Sequence, residues 1–300
     1  MHYPRLTEEL FTIRDWLRFT VSRFEESDIF YGHGTDNSYD EAAWLILAAL
    51  HLPHDTLENF LDAVITESER KHLAHLIERR VTERTPTAYL VREAWLRGFK
   101  FYVDERVIVP RSFIAELLEN SLSPWIESPE MVGSAADICT GSGCLGVLLA
   151  HAFPNAAIDV VDISPDAIAV CNINIANYGL QQQVTAIQSD MFSALKDKTY
   201  DLIISNPPYV DAPSMAQLPQ EYRNEPQLAL GSGMAGLDHT HTLLREAVNY
   251  LNGGGLLIVE IGHNRDALLE AYPDLPFTWL EVESGNEFVF LLTKEQLVSS

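Results

Sequence analysis

Residues 135–146, AADICTGSGCLG, decide the fold of this chain. An apolar run up to Cys139 predicts a buried strand, and a G-x-G-x-x-G spacing follows it at residues 141–146. Glycines at this spacing let the backbone turn sharply, approach a ligand closely and begin a helix that packs on the strand. The stretch therefore predicts a strand, a cofactor-binding turn and a helix, although alone it also fits a tight turn that binds nothing.

Six further apolar segments show a strand-like pattern along the rest of the chain. The seven predicted strands are residues 135–139, 157–163, 184–188, 200–206, 255–261, 277–283 and 287–293. Helices are predicted between most of them, so we expect an α/β fold with a doubly wound, mostly parallel, Rossmann-like sheet. The last two strands lie too close for a helical crossover, and Ser284-Gly285-Asn286 between them predicts a hairpin. We therefore expect an antiparallel strand at the end of the sheet, which is rare in nicotinamide-binding folds.

The chain divides into three regions of different character. Residues 1–86 show helical apolar spacing and are predicted to form an N-terminal helical domain. Residues 87–110 alternate aromatic and β-branched side chains around Arg97-Gly98, which predicts a linking β-hairpin. Residues 111–300 contain all the strands above and are predicted to form the cofactor-binding domain. We expect the helical region to recognise the substrate or, alternatively, only to stabilise the chain.

Two local patterns stand out in the helical region. Thr66 and Glu69 have the spacing of a capping box and predict the start of a helix. His33 and Asp36 lie in the GHGTDNS loop, where a turn or a helix cap is the expected role. Neither pattern indicates chemistry in this region.

Composition limits the classes of partner. The net charge of −23 argues against a long contact with nucleic-acid phosphates and suits a basic protein partner, although acidity also simply keeps a protein soluble. No apolar run is long enough for a membrane span, and the opening MHYPRLTEEL lacks the apolar core of a secretion signal. The three cysteines show no C-x-x-C spacing, so neither a metal site nor a disulfide is expected. A cytoplasmic protein without a metal is therefore predicted.

Acidic residues at the ends of two predicted strands indicate an adenosine-containing cofactor. Asp162 closes the second strand, where a carboxylate can accept both ribose hydroxyls. After the third strand, Asp190 is placed to accept the adenine amino group and Met191 to pack on the ring. A helix cap is the alternative role of Asp190. Both NAD and S-adenosylmethionine satisfy this pattern.

The fourth strand ends in Asn206-Pro207-Pro208-Tyr209, at the edge of the sheet where doubly wound folds bind ligands. The two prolines fix the backbone and remove two amide donors, so the Asn206 side-chain oxygen and the Pro207 carbonyl remain as acceptors. A planar NH2 group needs two acceptors, and the Tyr209 ring offers a face for stacking. The segment predicts a site for a carboxamide or an amino-nucleobase.

The motifs DICTGSG, VDISPDA, SDMF and NPPY, in this order, resemble the HemK superfamily of protein glutamine methyltransferases over essentially the whole chain. The resemblance implies a class I methyltransferase fold that uses S-adenosyl-L-methionine, releases S-adenosyl-L-homocysteine and methylates the side-chain amide nitrogen (N5) of a glutamine. Within the superfamily, YGHGTDNSYDEA, FYVDERVIVPRS and EYRNEP are similar to the PrmB-type branch, which acts on ribosomal protein L-three. The branch that acts on class I peptide release factors typically has an IPRPDTE-like segment where this chain has VPRSFIAEL (109–117), and it is the alternative.

The resemblance also implies which residues form the site. The expected cofactor-binding residues are Asp137, Thr140, Gly141, Ser142, Gly143, Asp162, Ile163, Asp190, Met191 and Asn206. The expected catalytic residues are Asn206, Pro207, Pro208 and Tyr209. Arg111 and Glu225 are candidates on the substrate side, with a surface ion pair as the alternative for Arg111. Glu221 and Glu225 are also expected to attract a basic ribosomal protein, with a solvated acidic face as the alternative.

Two positions depart from the family pattern. Cys139 stands where the class I motif usually has glycine, and Met191 stands where relatives often carry tryptophan. We expect the small cysteine to be tolerated near the methionine end of the cofactor. Met191 is expected to keep apolar packing on adenine without aromatic stacking.

Three other functions are compatible with parts of the sequence. A nucleic-acid amino methyltransferase would use the same NPPY chemistry on an exocyclic NH2 group, but it needs a basic groove. A ribosome-assembly factor with a relic cofactor site conflicts with the intact glycine-rich and NPPY motifs. An NAD dehydrogenase conflicts with NPPY and with the terminal hairpin.

Overall fold

A computed structural model describes residues 6–298. Residues 1–5 and 299–300 lie outside this range, so the expectation drawn from the opening MHYPR falls partly outside the described residues. Helices come first, a two-stranded hairpin follows, and a seven-stranded sheet with its helices makes up the rest. Within residues 6–298, no helix is long and apolar enough to cross a membrane.

The N-terminal region is helical. Its helices are α1 Leu6–Glu9, α2 Ile13–Glu26, α3 Ser38–Ala49, α4 Leu57–Phe60, α5 Glu67–Thr82 and α6 Thr87–Val91. The predicted capping box is confirmed at α5, where the Thr66 hydroxyl accepts from the Glu69 amide and the Glu69 carboxylate accepts from the Thr66 amide. Trp16, Leu45 and Leu73 are completely buried between α2, α3 and α5. These helices therefore enclose an apolar core of their own.

Helix α6 occupies residues that the sequence pattern placed at the start of the linking hairpin. Pro86 precedes α6 with its ring-restricted φ, and Arg92 ends it in the left-handed conformation. The hairpin itself is short, with β1 Ala94–Leu96 paired antiparallel to β2 Phe99–Phe101. Arg97 and Gly98 both have positive φ, 47° and 78°, as a two-residue hairpin turn requires. The turn prediction is confirmed, and the β structure is confined to residues 94–101.

The large sheet contains seven strands. They are β3 Ser134–Ile138, β4 Ala157–Asp162, β5 Val184–Gln188, β6 Tyr200–Ser205, β7 Leu251–Glu260, β8 Thr278–Trp279 and β9 Val289–Thr293. The helices of this region are α7 Ile114–Glu119, α8 Cys144–Ala152, α9 Pro165–Asn177, α10 Ala212–Met215, α11 Asp238–Glu246, α12 Arg265–Ala271 and α13 Lys294–Val298. The strand order is β5-β4-β3-β6-β7-β9-β8, and β3 to β7 run parallel. The doubly wound, mostly parallel sheet is confirmed.

The antiparallel terminal strand is confirmed, and it lies one place in from the edge of the sheet. Strand β9 is antiparallel to both of its neighbours and lies between β7 and β8. Its first four residues are buried, so it needs a covered position inside the sheet. The edge is formed by β8, which has only two residues, both of them partly buried. A short edge strand limits edge-to-edge pairing with other chains.

The sheet order brings the ends of distant strands together. Strand β3 lies between β4 and β6, so the chain changes direction across the sheet at this point. Ile138 pairs with Ser205, and Ser205 pairs with Val259, so the carboxyl ends of β3, β6 and β7 meet at one edge. Doubly wound folds bind ligands at such a switch point.

Candidate active site

The glycine-rich turn leaves β3 and leads into α8. Gly141 and Gly143 have φ values of 55° and 81°, in the left-handed region that favours glycine. A Cβ on Gly143 would lie 2.5 Å from the sulfur of Cys171, and a Cβ on Gly146 would lie 2.3 Å from the Val160 side chain. The packing therefore requires glycine at both positions. A Cβ on Gly141 would meet nothing within 4 Å, so at this glycine the backbone borders open space.

Asp137 lies beneath the turn. It is completely buried, and its Oδ2 accepts the hydroxyl of Thr140 at 2.5 Å. Burial raises the pKa of Asp137 to about 7. The neighbouring Ser142 is also buried, and its carbonyl accepts a hydrogen bond from Asn174. Of the expected cofactor-binding residues, Asp137, Thr140, Ser142 and Gly143 support the turn and do not line the cavity described next.

A cavity, here called the cofactor cavity, opens beside the turn. Its lining includes Cys139, Gly141, Asp162, Ile163, Asp190, Met191, Asn206 and Pro208. Asp162 Oδ2 accepts the Gly141 amide at 2.9 Å, and Oδ1 accepts the Ser164 amide at 2.9 Å. Each carboxylate oxygen has more than one lone pair, so Asp162 retains capacity to accept ligand hydroxyls.

The far wall of the cofactor cavity follows β5. Ser189 caps the turn there, since its hydroxyl accepts the Ala194 amide at 2.9 Å. The cap role proposed as the alternative for Asp190 is thus filled by its neighbour, and the Asp190 side chain is exposed along the cavity. Met191 is buried, and its sulfur lies 3.8 Å from the sulfur of Cys139. An acid and two apolar sulfur-containing side chains therefore lie along one wall.

Cys139 has a φ of 63°, which explains why glycine is the usual residue of the class I motif at this position. Burial is the main cause that raises the pKa of its thiol above the usual range. The side chain is therefore a neutral, compact apolar group on the cavity wall. Its contact with Met191 gives the cysteine a packing role.

Asn206 follows β6 directly, and its side chain is held in one orientation. Its Nδ2 donates a 3.0 Å hydrogen bond to the backbone carbonyl of Arg111. Its Oδ1 is buried and accepts no hydrogen bond from any of the residues 6–298. Pro207 and Pro208 are buried behind it. An acceptor in this state is energetically costly unless a ligand donates to it.

A second cavity, here called the substrate cavity, lies on the other side of Asn206. Its lining includes Arg111, Phe113, Asn206, Pro207, Pro208, Tyr209, Asp211, Tyr222, His263 and Phe288. Asn206 and Pro208 line both cavities. The wall between the two cavities is therefore the segment predicted to carry the chemistry.

Tyr209 forms part of the substrate cavity and is fixed by two contacts. A Cβ on Gly262 would lie 2.6 Å from the Tyr209 ring, so the ring packs directly on the backbone after β7. The Tyr209 carbonyl accepts the side-chain amide of Asn264 at 2.7 Å. Burial, followed by the nearby Glu260 carboxyl, raises the pKa of the phenol above its usual range. Tyr209 is thus a neutral, rigid wall of the cavity.

The structure corrects the role expected for Glu221 and Glu225. Both side chains are buried, each 3% exposed, and both face arginines inside the protein. Glu225 forms a two-pronged pair with Arg111, while Glu221 lies 3.3 Å from Arg80. Buried and paired carboxylates cannot attract a partner at a distance, so these two are not a docking surface. The structure also does not show the alternative expected for Arg111, an ion pair on the surface, because its partner Glu225 is buried.

Three residues near the site were not predicted from the sequence to lie there. His33, placed in a turn by its loop sequence, is buried with Nε2 3.6 Å from Glu225 and its ring 4.6 Å from the Tyr222 ring. Arg80 lies on α5 and donates to Glu41 at 2.5 Å. Glu260 ends β7, and an acid at the carboxyl end of a buried strand was a usable signal.

The chain is similar to known methyltransferases. Residues 116–221 match the family model described as Methyltransferase small domain. A ribosomal protein uL3 glutamine methyltransferase from Neisseria gonorrhoeae is 57% identical, with 99% of each chain covered. One of the same name from Bordetella pertussis is 52% identical, with 97% of each chain covered.

Among solved structures, the hMettl16 catalytic domain in complex with MAT2A 3′UTR hairpin 6 has a TM-score of 0.51 and 13% identity, covering 77% of this chain and 84% of that chain. At that identity the likeness concerns the fold alone, which is a class I methyltransferase fold, as the sequence motifs predicted. The identity to the curated relatives extends over nearly the whole chain, so the chain belongs to the family of ribosomal protein uL3 glutamine methyltransferases.

Proposed function

We propose that this protein transfers a methyl group from S-adenosylmethionine to the side-chain amide nitrogen of a glutamine in ribosomal protein uL3. The observation that carries the proposal is the state of Asn206. Its Nδ2 is occupied by the Arg111 carbonyl, and its buried Oδ1 has no donor among residues 6–298. A glutamine amide brings two N–H donors, so it supplies what this acceptor lacks.

The residues of the cofactor cavity fit S-adenosylmethionine. Asp162 would accept the ribose hydroxyls, and Asp190 would accept the adenine amino group. Ile163 and Met191 would pack on the adenine ring, because both line the same cavity. Open space beside Gly141 allows the methionine part to approach the backbone. When bound, the cofactor supplies an electrophilic methyl group on a sulfonium.

The chain's own contribution is to orient a weak nucleophile. An amide nitrogen is a poor nucleophile because its lone pair is delocalised. Asn206 Oδ1 and the Pro207 carbonyl would accept the two N–H bonds of the glutamine and direct its nitrogen toward the cofactor cavity. Holding two reactants in line can supply roughly 7–11 kcal/mol of barrier reduction. The protonated amide is a strong acid, so it loses its proton to water without a dedicated base.

Tyr209 and the buried prolines would shape the pocket around the glutamine side chain. Tyr209 is fixed against Gly262, so it can limit the width of the substrate cavity without moving. Water displaced by the bound glutamine would leave the hydrogen bonds from the amide to its two acceptors in a less polar surrounding, which strengthens them. Arg111 would lie next to the same cavity, held in place by its pairing with Glu225.

Recognition of the whole ribosomal protein is assigned to the helical region, residues 1–86, and to the linking segment, residues 87–110. The net charge of −23 supports a basic protein as the partner. A cytoplasmic location and the absence of sequence-specific nucleic-acid binding stay predictions. Because Glu221 and Glu225 are buried, the attraction must come from other acidic residues.

The experiment that tests this function is methyl transfer from tritiated S-adenosylmethionine. Ribosomal protein uL3, class I release factors and total RNA are supplied in separate reactions, and the labelled residue is located by mass spectrometry. We expect label on one glutamine of uL3. Label on a release factor would support the proposed reaction but show that the substrate is not uL3. Label only on RNA would contradict the proposal. An Asn206→Ala variant is the control for transfer that does not use this site.

A further inference from the structure

Residues 109–113, here called the strap, are fastened at one end by Glu225. The Glu225 Oε1 atom accepts the Val109 amide at 2.9 Å and the Arg111 Nη1 at 2.7 Å. The Oε2 atom accepts the Arg111 Nη2 at 2.6 Å. One buried carboxylate therefore holds both the backbone and the side chain of the strap. Burial alone would raise the pKa of Glu225, but the Arg111 pair outweighs it and lowers this pKa to about 2, so the carboxylate stays charged.

The other end of the strap is fastened by a second buried acid. Glu260 Oε2 accepts the Ser112 hydroxyl at 2.7 Å and the Phe113 amide at 2.9 Å. The backbone between these anchors has little freedom to move, because amides on both sides of Arg111 are bound. The carbonyl of Arg111 is therefore fixed in space.

That carbonyl determines which way the Asn206 amide faces. A backbone carbonyl only accepts hydrogen bonds, so the side-chain group 3.0 Å from it must be the Nδ2 donor of Asn206. The Oδ1 atom must then point away from the strap, on a side chain that lines both cavities. If the strap shifted, the amide could turn over and present its NH2 group. Two NH2 groups facing each other cannot form a hydrogen bond, and the glutamine would lose its acceptor.

We infer that Glu225 is a positioning residue for methyl transfer, which acts through the strap and the Arg111 carbonyl to keep Asn206 Oδ1 directed at the substrate amide. The inference rests on the proposed function. Glu225 itself does not line either cavity. Its effect on the reaction is therefore indirect, through the orientation of one side-chain amide.

The chain offers a matched control in Glu221. It lies in the same segment as Glu225, with equal burial of 3%, and it also pairs with an arginine. Its contacts, however, are with Arg80 and the Phe30 amide of the helical region, and it has no hydrogen bond to the strap. Replacing either glutamate by glutamine removes one buried charge. Only the replacement at Glu225 disturbs the strap.

The kinetic experiment compares Glu225→Gln and Glu221→Gln with the unmodified protein on uL3. We expect Glu225→Gln to lower kcat roughly 10- to 100-fold, because small misplacements of reacting groups cost about that much. The affinity for S-adenosylhomocysteine should stay within about twofold, since the strap does not hold the cofactor. Glu221→Gln should keep kcat within about threefold of the unmodified protein, even if its Tm falls as much as that of Glu225→Gln. Equal losses of kcat in both variants would overturn the inference and indicate a general effect of stability.

A second readout needs no substrate and therefore separates this inference from the proposed function. Protein labelled with 15N-asparagine is studied by NMR, and the Asn206 side-chain NH2 signals are assigned from their loss in Asn206→Ala. We expect these signals to shift in Glu225→Gln and to stay unchanged in Glu221→Gln. Unchanged signals in Glu225→Gln would refute the inference whatever the enzyme methylates. If Glu225→Gln does not fold, Arg111→Lys keeps the charge but breaks the two-pronged pair, and the same shift is expected.

Discussion

Asp162 and Gly141 are joined by a 2.9 Å hydrogen bond from the Gly141 amide to the Asp162 carboxylate. The bond links the end of β4 to the turn after β3, and both residues line the cofactor cavity. One carboxylate thus shapes the turn and also faces the place where a ribose would lie. Replacing Asp162 should weaken cofactor binding more than it lowers the stability of the fold.

Asp162→Ala is expected to weaken binding of S-adenosylhomocysteine by about 1.5–3 kcal/mol, the usual cost of losing hydrogen bonds to a charged group. Isothermal titration calorimetry measures this directly. Asp159→Ala is the control, because Asp159 is on the same strand but binds Lys198 and Tyr200 away from the cavity. An unchanged affinity in Asp162→Ala would mean that the ribose lies elsewhere.

Asn206→Ala is expected to lower methyl transfer to uL3 roughly 100-fold or more, because the amide loses the acceptor that orients it. Thermal unfolding should show a folded protein. The control is Asn252→Ala, which removes a side-chain amide bound to Asp201 near the start of β7, remote from both cavities. Activity of Asn206→Ala close to that of the unmodified protein would disprove the assigned role of this side chain.

Gly143→Ala is expected to reduce the free energy of unfolding by about 2–4 kcal/mol, since the new methyl group overlaps the Cys171 side chain at a left-handed backbone position. Urea denaturation gives the value. Gly254→Ala separates the steric overlap from the strain of the left-handed backbone. Gly254 also has a positive φ, +74°, but a Cβ built on it would have nothing within 4 Å. This control should lose only about 1 kcal/mol, the backbone cost alone. Equal losses in the two variants would argue against the close contact with Cys171.

Glu260→Gln tests whether burial raises the pKa of the Glu260 carboxyl. Burial raises the pKa of Glu260 to about 7, above its value of about 4.5 in the unfolded chain. The folded state therefore holds a proton that the unfolded state releases, so this group costs stability as the pH rises from about 4.5 to 7. Relative to Glu260→Gln, the unmodified protein should lose up to about 3 kcal/mol over that window and change little above it. A stability difference that does not vary between pH 4.5 and 7 would contradict a raised pKa. Urea titrations at several pH values provide the measurement.

Local features of the fold followed from the sequence because they depend on neighbours in the chain. The capping box at Thr66 and Glu69, the turn at Arg97-Gly98 and the parallel strands before and after the glycine-rich turn were all predicted. Each depends on backbone preferences within a few residues. The antiparallel hairpin at the end of the sheet was also predicted, but the pattern specifies only that β9 pairs with β8 and not which of the two strands lies inside the sheet.

For the site, the glycine-rich turn and NPPY indicated an adenosine-containing cofactor and a carboxamide or amino-nucleobase substrate, since both motifs carry their chemistry in adjacent residues. The resemblance to the HemK superfamily then selected methyl transfer to an amide. The partners of the charged residues could not be read in this way. Glu225 pairs with Arg111 across 114 positions, and Arg80 lies beside Glu221 across 141 positions. Only the tertiary packing decides whether such an acid is exposed to a partner or buried against an arginine, because burial depends on what the rest of the chain places around it. The orientation of the Asn206 amide depends on the same packing.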